Sequence, residues 1–270
     1  MPEILQYGFM QRALLGGLMI GIIAPTIGVF LVLRRLSLIA DTLAHVSLAG
    51  VALGFMFGLH PVLGALIVAV VGALGIERLR ASGRLFGEAA LAIFLSGGLA
   101  VAVVLIGLAD GFSVDLFSYL FGAITAVQTR DLWIILALGL FVLAAVGAFY
   151  KELFAMTFDE EGARVQGVPV DALNTLITFL VAVTVVVAMR VVGVLLTSAL
   201  VVIPAITALR LARSFRGTLL LAVAISVASV VAGMTAAFYL DLAAGGAIVL
   251  TSIAVFAASG LAPTARAAAR

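Results

Sequence analysis

Cysteine is absent from this chain of 270 residues, and lysine occurs once, at Lys151. Without cysteine there is no disulfide, no cysteine-based zinc site and no thiolate nucleophile. Lys151 lies outside any GxxxxGK[ST] run, so the chain cannot bind and hydrolyse ATP in the P-loop manner. The HExxH and GxSxG patterns are also missing, which argues against a zinc metalloprotease of the first kind and a serine hydrolase of the second.

Charged side chains are scarce as well. They make up 10% of the chain, hydrophobic residues make up 65%, and the mean hydropathy is +1.35. An ordinary soluble domain is about 25% charged, because it needs a polar surface to cover its core. This composition therefore predicts an integral membrane protein, and we expect residues 1–270 to form a single transmembrane domain.

Long apolar runs dominate the chain. A helix needs about 20 mostly apolar residues to cross roughly 30 Å of hydrocarbon, and an open chain can satisfy its backbone there only as a helix. The sequence predicts an all-α, polytopic bundle of about eight or nine spans. The runs lie approximately at residues 9–33, 37–59, 61–76, 87–107, 132–150, 172–189, 193–211, 217–240 and 246–260.

One further apolar segment, Val114 to Val127, is too short to cross a bilayer and contains Asp115 and Gly122. Backbone breaks at membrane depth are tolerated only where protein or a water-filled cavity satisfies the freed groups. The segment is therefore predicted to be a re-entrant or interfacial helix.

Basic residues indicate the orientation, since cytoplasmic loops of membrane proteins carry an excess of arginine and lysine. Nearly all of them fall on one side if each run crosses once, which places the N-terminus outside and the C-terminus in the cytoplasm. Arg190 is the exception in this assignment. The residues on the cytoplasmic side are Arg34, Arg35, Arg78, Arg80, Arg84, Lys151, Arg164, Arg210, Arg213, Arg216, Arg266 and Arg270.

Asp41 and His45 lie four residues apart in the second run, so they share one face of a helix. An aspartate inside a membrane helix costs about 3 kcal/mol and normally faces the bundle interior or a cavity. Carboxylate and imidazole together suit zinc, manganese or iron(II). The alternative is that Asp41 caps a helix or pairs with a nearby arginine such as Arg34 or Arg35, while His45 is a hydrogen-bonded packing residue.

Other polar residues have ordinary structural interpretations. His60 and Asp241 are expected to be solvated in outer turns, as is Asp115, and Glu77 is expected to form interfacial salt bridges. Glu88 lies at the start of the fourth apolar run, where it could lie near the cytoplasmic mouth of a transport pathway.

The longest polar stretch, residues 151–170, predicts a cytoplasmic loop that holds a short helix. Asp159 is a candidate N-cap, acidic residues follow in the first turn, and Gly167 with Pro169 predicts the end. Phe158, Val165 and Val168 would give a partner protein apolar surface to contact. An ordered loop without a partner is the alternative.

The segment APTIGVFLVLRRLSLIADTLAHVSLAGVALG resembles the first helical hairpin of the zinc and manganese ABC importer permeases. GEAALAIFLSGG, DLFSYLFGAI, FDEEGARVQGV and VVGVLLTSALVVIPAITALRL extend the resemblance along nearly the whole chain. It implies the type II ABC importer permease fold, and Asp41 and His45 resemble the DxxxH element that lines the path. The segment 159–167 is similar to the coupling helix that docks into the ATPase, with Phe158, Asp159, Glu161, Ala163, Arg164 and Gly167 as coupling residues. Gly162 is a departure within this segment, because glycine is a poor helix former and costs about 1 kcal/mol relative to alanine.

The resemblance also implies partners and a location. We expect a homodimeric, multi-pass permease in the plasma membrane of a prokaryote, with separate ATPase subunits, an extracytoplasmic metal-binding protein and no nucleic acid. The chain itself is expected to be no enzyme and to bind no cofactor, zinc or manganese being the cargo moved by alternating access. Three alternatives remain open: a permease for a metal chelate such as a siderophore or cobalamin, a stand-alone ion-coupled transporter, and a membrane enzyme using Asp41 and His45 as acid and base.

Overall fold

The computed structural model describes residues 6–82, 87–108 and 114–260, and helix is the only regular secondary structure in these ranges. The residue ranges of the helices are as follows: α1 Gly8–Leu33, α2 Leu38–Met56, α3 Pro61–Ala81, α4 Gly87–Leu108, α5 Val114–Phe121, α6 Thr129–Ala148, α7 Tyr150–Phe158, α8 Glu160–Val165, α9 Val170–Ala188, α10 Val194–Leu211, α11 Phe215–Leu240 and α12 Ala244–Ser259.

Eight of the described helices are long and apolar enough to span a membrane: α1, α2, α3, α4, α6, α9, α10 and α11. The last helix, α12, has 16 residues, which is about 24 Å at 1.5 Å per residue and shorter than a typical span. The prediction of an all-α, multi-span bundle is therefore confirmed. The apolar run at 246–260 forms a helix, but one shorter than the other runs.

The segment predicted as a re-entrant or interfacial helix forms two short pieces. It contains the eight-residue helix α5 and a single 3₁₀ turn, Ile124–Ala126. Gly122 lies between them with φ +73°, a backbone conformation that favours glycine. Eight helical residues reach only about 12 Å, so α5 is too short to cross hydrocarbon.

Glycines let the helices of the bundle pack with their backbones in contact. A side chain on Gly28 of α1 would collide with the carbonyl oxygen of Val201 in α10. Gly50 of α2 and Gly64 of α3 likewise face each other's carbonyl oxygens. Small residues at helix crossings are the usual way that membrane helices gain close packing. The helix α2 lies inside the bundle, in contact with α3, α4, α9 and α10.

Polar contacts distinguish the two ends of the bundle, here called the Arg34 end and the Arg190 end. At the Arg34 end, Arg34 at the end of α1 bonds to Glu160 of α8. At the Arg190 end, Arg190 follows α9 and forms a 2.7 Å ion pair with Asp131 of α6.

Arg190 is not the only basic residue at its end, which corrects the sequence-based assignment. Arg130 neighbours Asp131 at the start of α6, and Arg12 at the start of α1 donates through Nε to the carbonyl oxygen of Val127 at 3.0 Å. The charge rule describes a bias between the two sides, so individual arginines with local partners escape it.

Candidate functional site

Asp41 and His45 lie one turn apart on α2, as the spacing predicts. His45 Nδ1 is 3.9 Å from Asp41 Oδ1 and 2.9 Å from the backbone carbonyl oxygen of Asp41. The side chain of His45 is 15% exposed and that of Asp41 is 34% exposed. The two side chains therefore stand together at an open edge of the bundle, with the histidine the more enclosed of the two.

The hydrogen bond of His45 determines which ring nitrogen is free. A carbonyl oxygen can only accept, so Nδ1 must carry the hydrogen and donate to the carbonyl of Asp41. In a neutral imidazole the other nitrogen, Nε2, then keeps its lone pair. Metal-binding histidines are commonly oriented by this kind of bond to a carbonyl group.

Ser198 of α10 completes the immediate surroundings of Asp41. Its Oγ donates to Asp41 Oδ1 at 3.1 Å, across 157 residues of sequence. Sequence reasoning missed this residue, because a serine in an apolar run carries no signal of its own. The bond orients the carboxylate and joins α10 to α2.

The alternative in which Asp41 pairs with Arg34 does not agree with the structure. Arg34 instead donates to Asn174 Oδ1 at 2.6 Å and to Glu160 Oε2 at 2.7 Å. Its guanidinium is thus used at the end of α1, while the carboxylate of Asp41 is held by Ser198 and lies beside His45.

One chain supplies only part of a metal site here. Among the residues that the structure describes, no group of three or more histidine, aspartate or glutamate side chains is placed to hold a metal ion. Structural zinc sites have four ligands, whereas transport sites must also release the ion. Asp41 and His45 are therefore a pair of candidate ligands and not a complete ligand set among the described side chains.

The predicted short helix in the 151–170 loop is α8. Asp159 caps it, since its Oδ1 accepts from the backbone N–H of Gly162 at 2.8 Å. Gly162 fits this cap, because a side chain at that position would meet the Asp159 carboxylate. Gly167 ends the segment with φ +85°, where glycine is favoured.

The residues proposed for coupling fall into two groups. Phe158, Asp159, Glu161, Arg164 and Gly167 are exposed, whereas Ala163 is buried and anchors α8 to the bundle. Arg164 forms two hydrogen bonds with Asp171, at 2.8 and 3.0 Å, which raise the pKa of the arginine.

Apolar surface is exposed next to these residues. Val165 is 89% exposed and Phe158 is 60% exposed. Phe158 belongs to an aromatic cluster with Phe154 and Phe215, whose ring centroids lie 4.8 to 6.0 Å apart. Val168, the third apolar residue singled out from the sequence, packs against the core instead.

The remaining polar candidates do not join the Asp41 and His45 pair. His60, expected to be solvated, is half-buried at the Arg190 end, and its pKa is lowered first by burial and then by the charge of Arg130. Asp241 is exposed at the end of α11, Glu88 is exposed at the start of α4, and Glu77 bonds to Arg80 as expected. The side chain of Asp115 lies outside the described part of the chain.

Three relatives have names that refer to metal transport. A "Probable metal transport system membrane protein" from Treponema pallidum is 40% identical and covers 93% of this chain and 94% of its own. The manganese transport system membrane protein MntC of Halalkalibacterium halodurans is 35% identical, covering 94% and 87%. The high-affinity zinc uptake system membrane protein ZnuB of Haemophilus influenzae is 32% identical, covering 92% and 95%.

A solved structure has the same fold. PsaBC from Streptococcus pneumoniae, in complex with Fab, superposes with a TM-score of 0.88 at 33% identity, covering 98% of this chain and 95% of that one. Residues 6–262 also match the family described as the ABC 3 transport family. This multi-pass plasma-membrane permease therefore belongs to the ABC 3 transport family.

Proposed function

We propose that this chain is the permease subunit of an ATP-driven importer that moves zinc or manganese into the cytoplasm by alternating access. The observation that carries the proposal is the pair on α2: a carboxylate fixed by Ser198 beside a histidine whose Nε2 is free to bind a metal. Relatives named for manganese and for zinc support the choice of cargo.

The exposure of Asp41 supports its place on a path. A charged group that faces hydrocarbon is costly. The Asp41 side chain is 34% exposed and lies in a membrane helix, so it needs water or another protein chain beside it. We propose that a second copy of the permease faces this edge, so that two carboxylates and two imidazoles line one path. Such a set offsets the charge of a divalent ion and suits both zinc and manganese.

We further propose that α8 is the coupling helix and that it docks into a separate ATPase subunit. The exposed Val165 and Phe158 side chains offer the apolar contact, and the capped N-terminus of α8 keeps the helix in shape. The Arg34 end, which carries most of the basic residues, is then cytoplasmic. An extracytoplasmic metal-binding protein would deliver the ion at the Arg190 end.

Reconstitution tests this function. The permease is placed in liposomes with its ATPase subunit and binding protein, and uptake of zinc and manganese is followed with and without ATP. We expect ATP-dependent uptake of at least one of the two ions. We expect the double variant Asp41→Ala with His45→Ala to lose it while the assembly still forms.

The controls separate the competing functions. Liposomes without the ATPase should take up neither ion, and uptake driven by an ion gradient in that preparation would indicate a secondary transporter instead. The variant His60→Gln, which changes the other histidine of the chain, should keep ATP-dependent uptake. Normal uptake by the Asp41 and His45 double variant would remove the proposed site.

A further inference from the structure

Arg34 has contacts that the proposed function does not use. Its side chain is 7% exposed, and it lies at the junction of three helices. Nη2 donates to Glu160 Oε2 at 2.7 Å on α8, and Nη1 donates to Asn174 Oδ1 at 2.6 Å on α9. Asn174 Nδ2 in turn lies 3.4 Å from Glu160 Oε1, which closes a triangle of one cation, one carboxylate and one amide.

The triangle is a strong polar attachment between α8 and the membrane helices. The other ion pair of α8, Arg164 with Asp171, is 55% and 80% exposed, and exposed pairs contribute little because water screens them. Arg34 is 7% exposed and Glu160 is 44% exposed, so water screens their ion pair less than it screens the pair of Arg164 and Asp171. If α8 moves, we therefore expect the displacement to reach the end of α1 through Arg34 rather than through the exposed pair of Arg164 and Asp171.

The end of α1 is close to the Asp41 and His45 pair along two routes. Along the chain, Arg34 precedes Asp41 by seven residues, with only a short turn before α2 begins at Leu38. Across the bundle, Gly28 of α1 packs directly on the carbonyl oxygen of Val201 in α10. Val201 is one turn from Ser198, which holds the carboxylate of Asp41.

We propose that Arg34 is a positioning residue that transmits the movement of α8 to α1 and α9, and so couples ATP hydrolysis to the opening of the Asp41 and His45 path. This inference rests on the proposed function, because it assumes that α8 receives the movement of an ATPase. Without the Arg34 contact, the ATPase should still bind the permease and hydrolyse ATP. Each ATP hydrolysed should then open the Asp41 and His45 path less often.

The experiment measures metal ions transported per ATP hydrolysed in the reconstituted complex. For Arg34→Gln we expect this ratio to fall about tenfold, the size of an ordinary coupling between sites, while ATP hydrolysis stays within about twofold of wild type. The exchange variant Arg34→Glu with Glu160→Arg restores opposite charges, and Asn174 can bond to either group. We expect the exchange to recover most of the ratio.

Arg80→Gln is the matched control, because Arg80 pairs with Glu77 three residues away on the same helix and at the same end of the bundle. That variant should keep the wild-type ratio. If Arg34→Gln does not yield folded protein, Glu160→Ala removes the same contact from an exposed position and is expected to lower the ratio.

Two results would overturn the inference: an unchanged ratio in Arg34→Gln, or an exchange variant that folds, hydrolyses ATP and recovers none of the ratio. Failure of the wild-type complex to transport metal with ATP would instead contradict the proposed function itself.

Discussion

At the scale of single residues, the proposed function depends on how Asp41 is held. The hydroxyl of Ser198 donates to its carboxylate at 3.1 Å. Groups that orient a metal ligand in this way typically contribute 10- to 100-fold to metal affinity. In the proposed site, Ser198 therefore orients the carboxylate of Asp41 although it need not touch the ion.

We predict that Ser198→Ala raises the metal concentration needed for half-maximal uptake about tenfold, with a smaller change in maximal rate. Uptake by the reconstituted complex over a range of metal concentrations measures both quantities. Thr197→Val is the matched control, because Thr197 is the neighbouring hydroxyl on α10 and donates to the carbonyl oxygen of Gly193 within its own chain segment. Equal effects of the two substitutions would contradict the role given to Ser198.

The residues of the site were predictable to different degrees. Asp41 and His45 could be paired from their spacing, because four residues make one helical turn whatever the fold. Ser198 could not, since its contact with Asp41 depends on how α10 packs against α2. The partner of Arg34 was also unpredictable from sequence, because Glu160 reaches it only after α7 and α8 fold back on the bundle.

At the scale of elements, an ion pair joins α6 to the residues just after α9 at the Arg190 end. The side chain of Asp131 is 2% exposed and that of Arg190 is 12% exposed. Arg190 also donates to the carbonyl oxygen of Ala126 at 3.0 Å and lies over the ring of Tyr119. A charge this enclosed depends on its counter-charge.

Asp131→Asn should therefore destabilise the bundle by about 3 kcal/mol, since it leaves the Arg190 charge enclosed without its carboxylate. The midpoint of thermal unfolding of the purified permease in detergent checks this. Arg80→Gln breaks a pair that is more exposed, at 23% and 14%, and leaves Glu77 bonded to Thr178, so it should lower the midpoint less. A midpoint for Asp131→Asn as high as that of Arg80→Gln would contradict the assigned importance of the pair.

The helix ends that could be predicted from the sequence were those set by residues a few positions away. The start and end of α8 followed from Asp159 and Gly167, since capping is decided within a few residues. The environment of Arg190 was predicted less well, because its partner lies 59 residues away in sequence. The orientation rule treats charges by side of the membrane and does not consider such pairs.

At the scale of the whole molecule, composition alone predicts the all-α membrane bundle, because hydrophobic runs of this length have one stable form in lipid. Its packing was not predictable in the same way. The glycine contacts between α1 and α10, and between α2 and α3, appear only when the helices are placed together. The bond between Ser198 of α10 and Asp41 of α2 exists only because the two helices pack side by side, so the candidate site depends on the packing.

The central claim is that the imidazole of His45 binds the transported ion. The X-ray absorption spectrum of zinc bound to the tag-free permease tests it most directly. With no cysteine and two histidines in the chain, imidazole scattering can come only from His45 or His60. The account predicts oxygen and nitrogen ligands at about 2.0–2.2 Å, with imidazole scattering that disappears in His45→Gln and persists in His60→Gln. A spectrum unchanged by His45→Gln would contradict it.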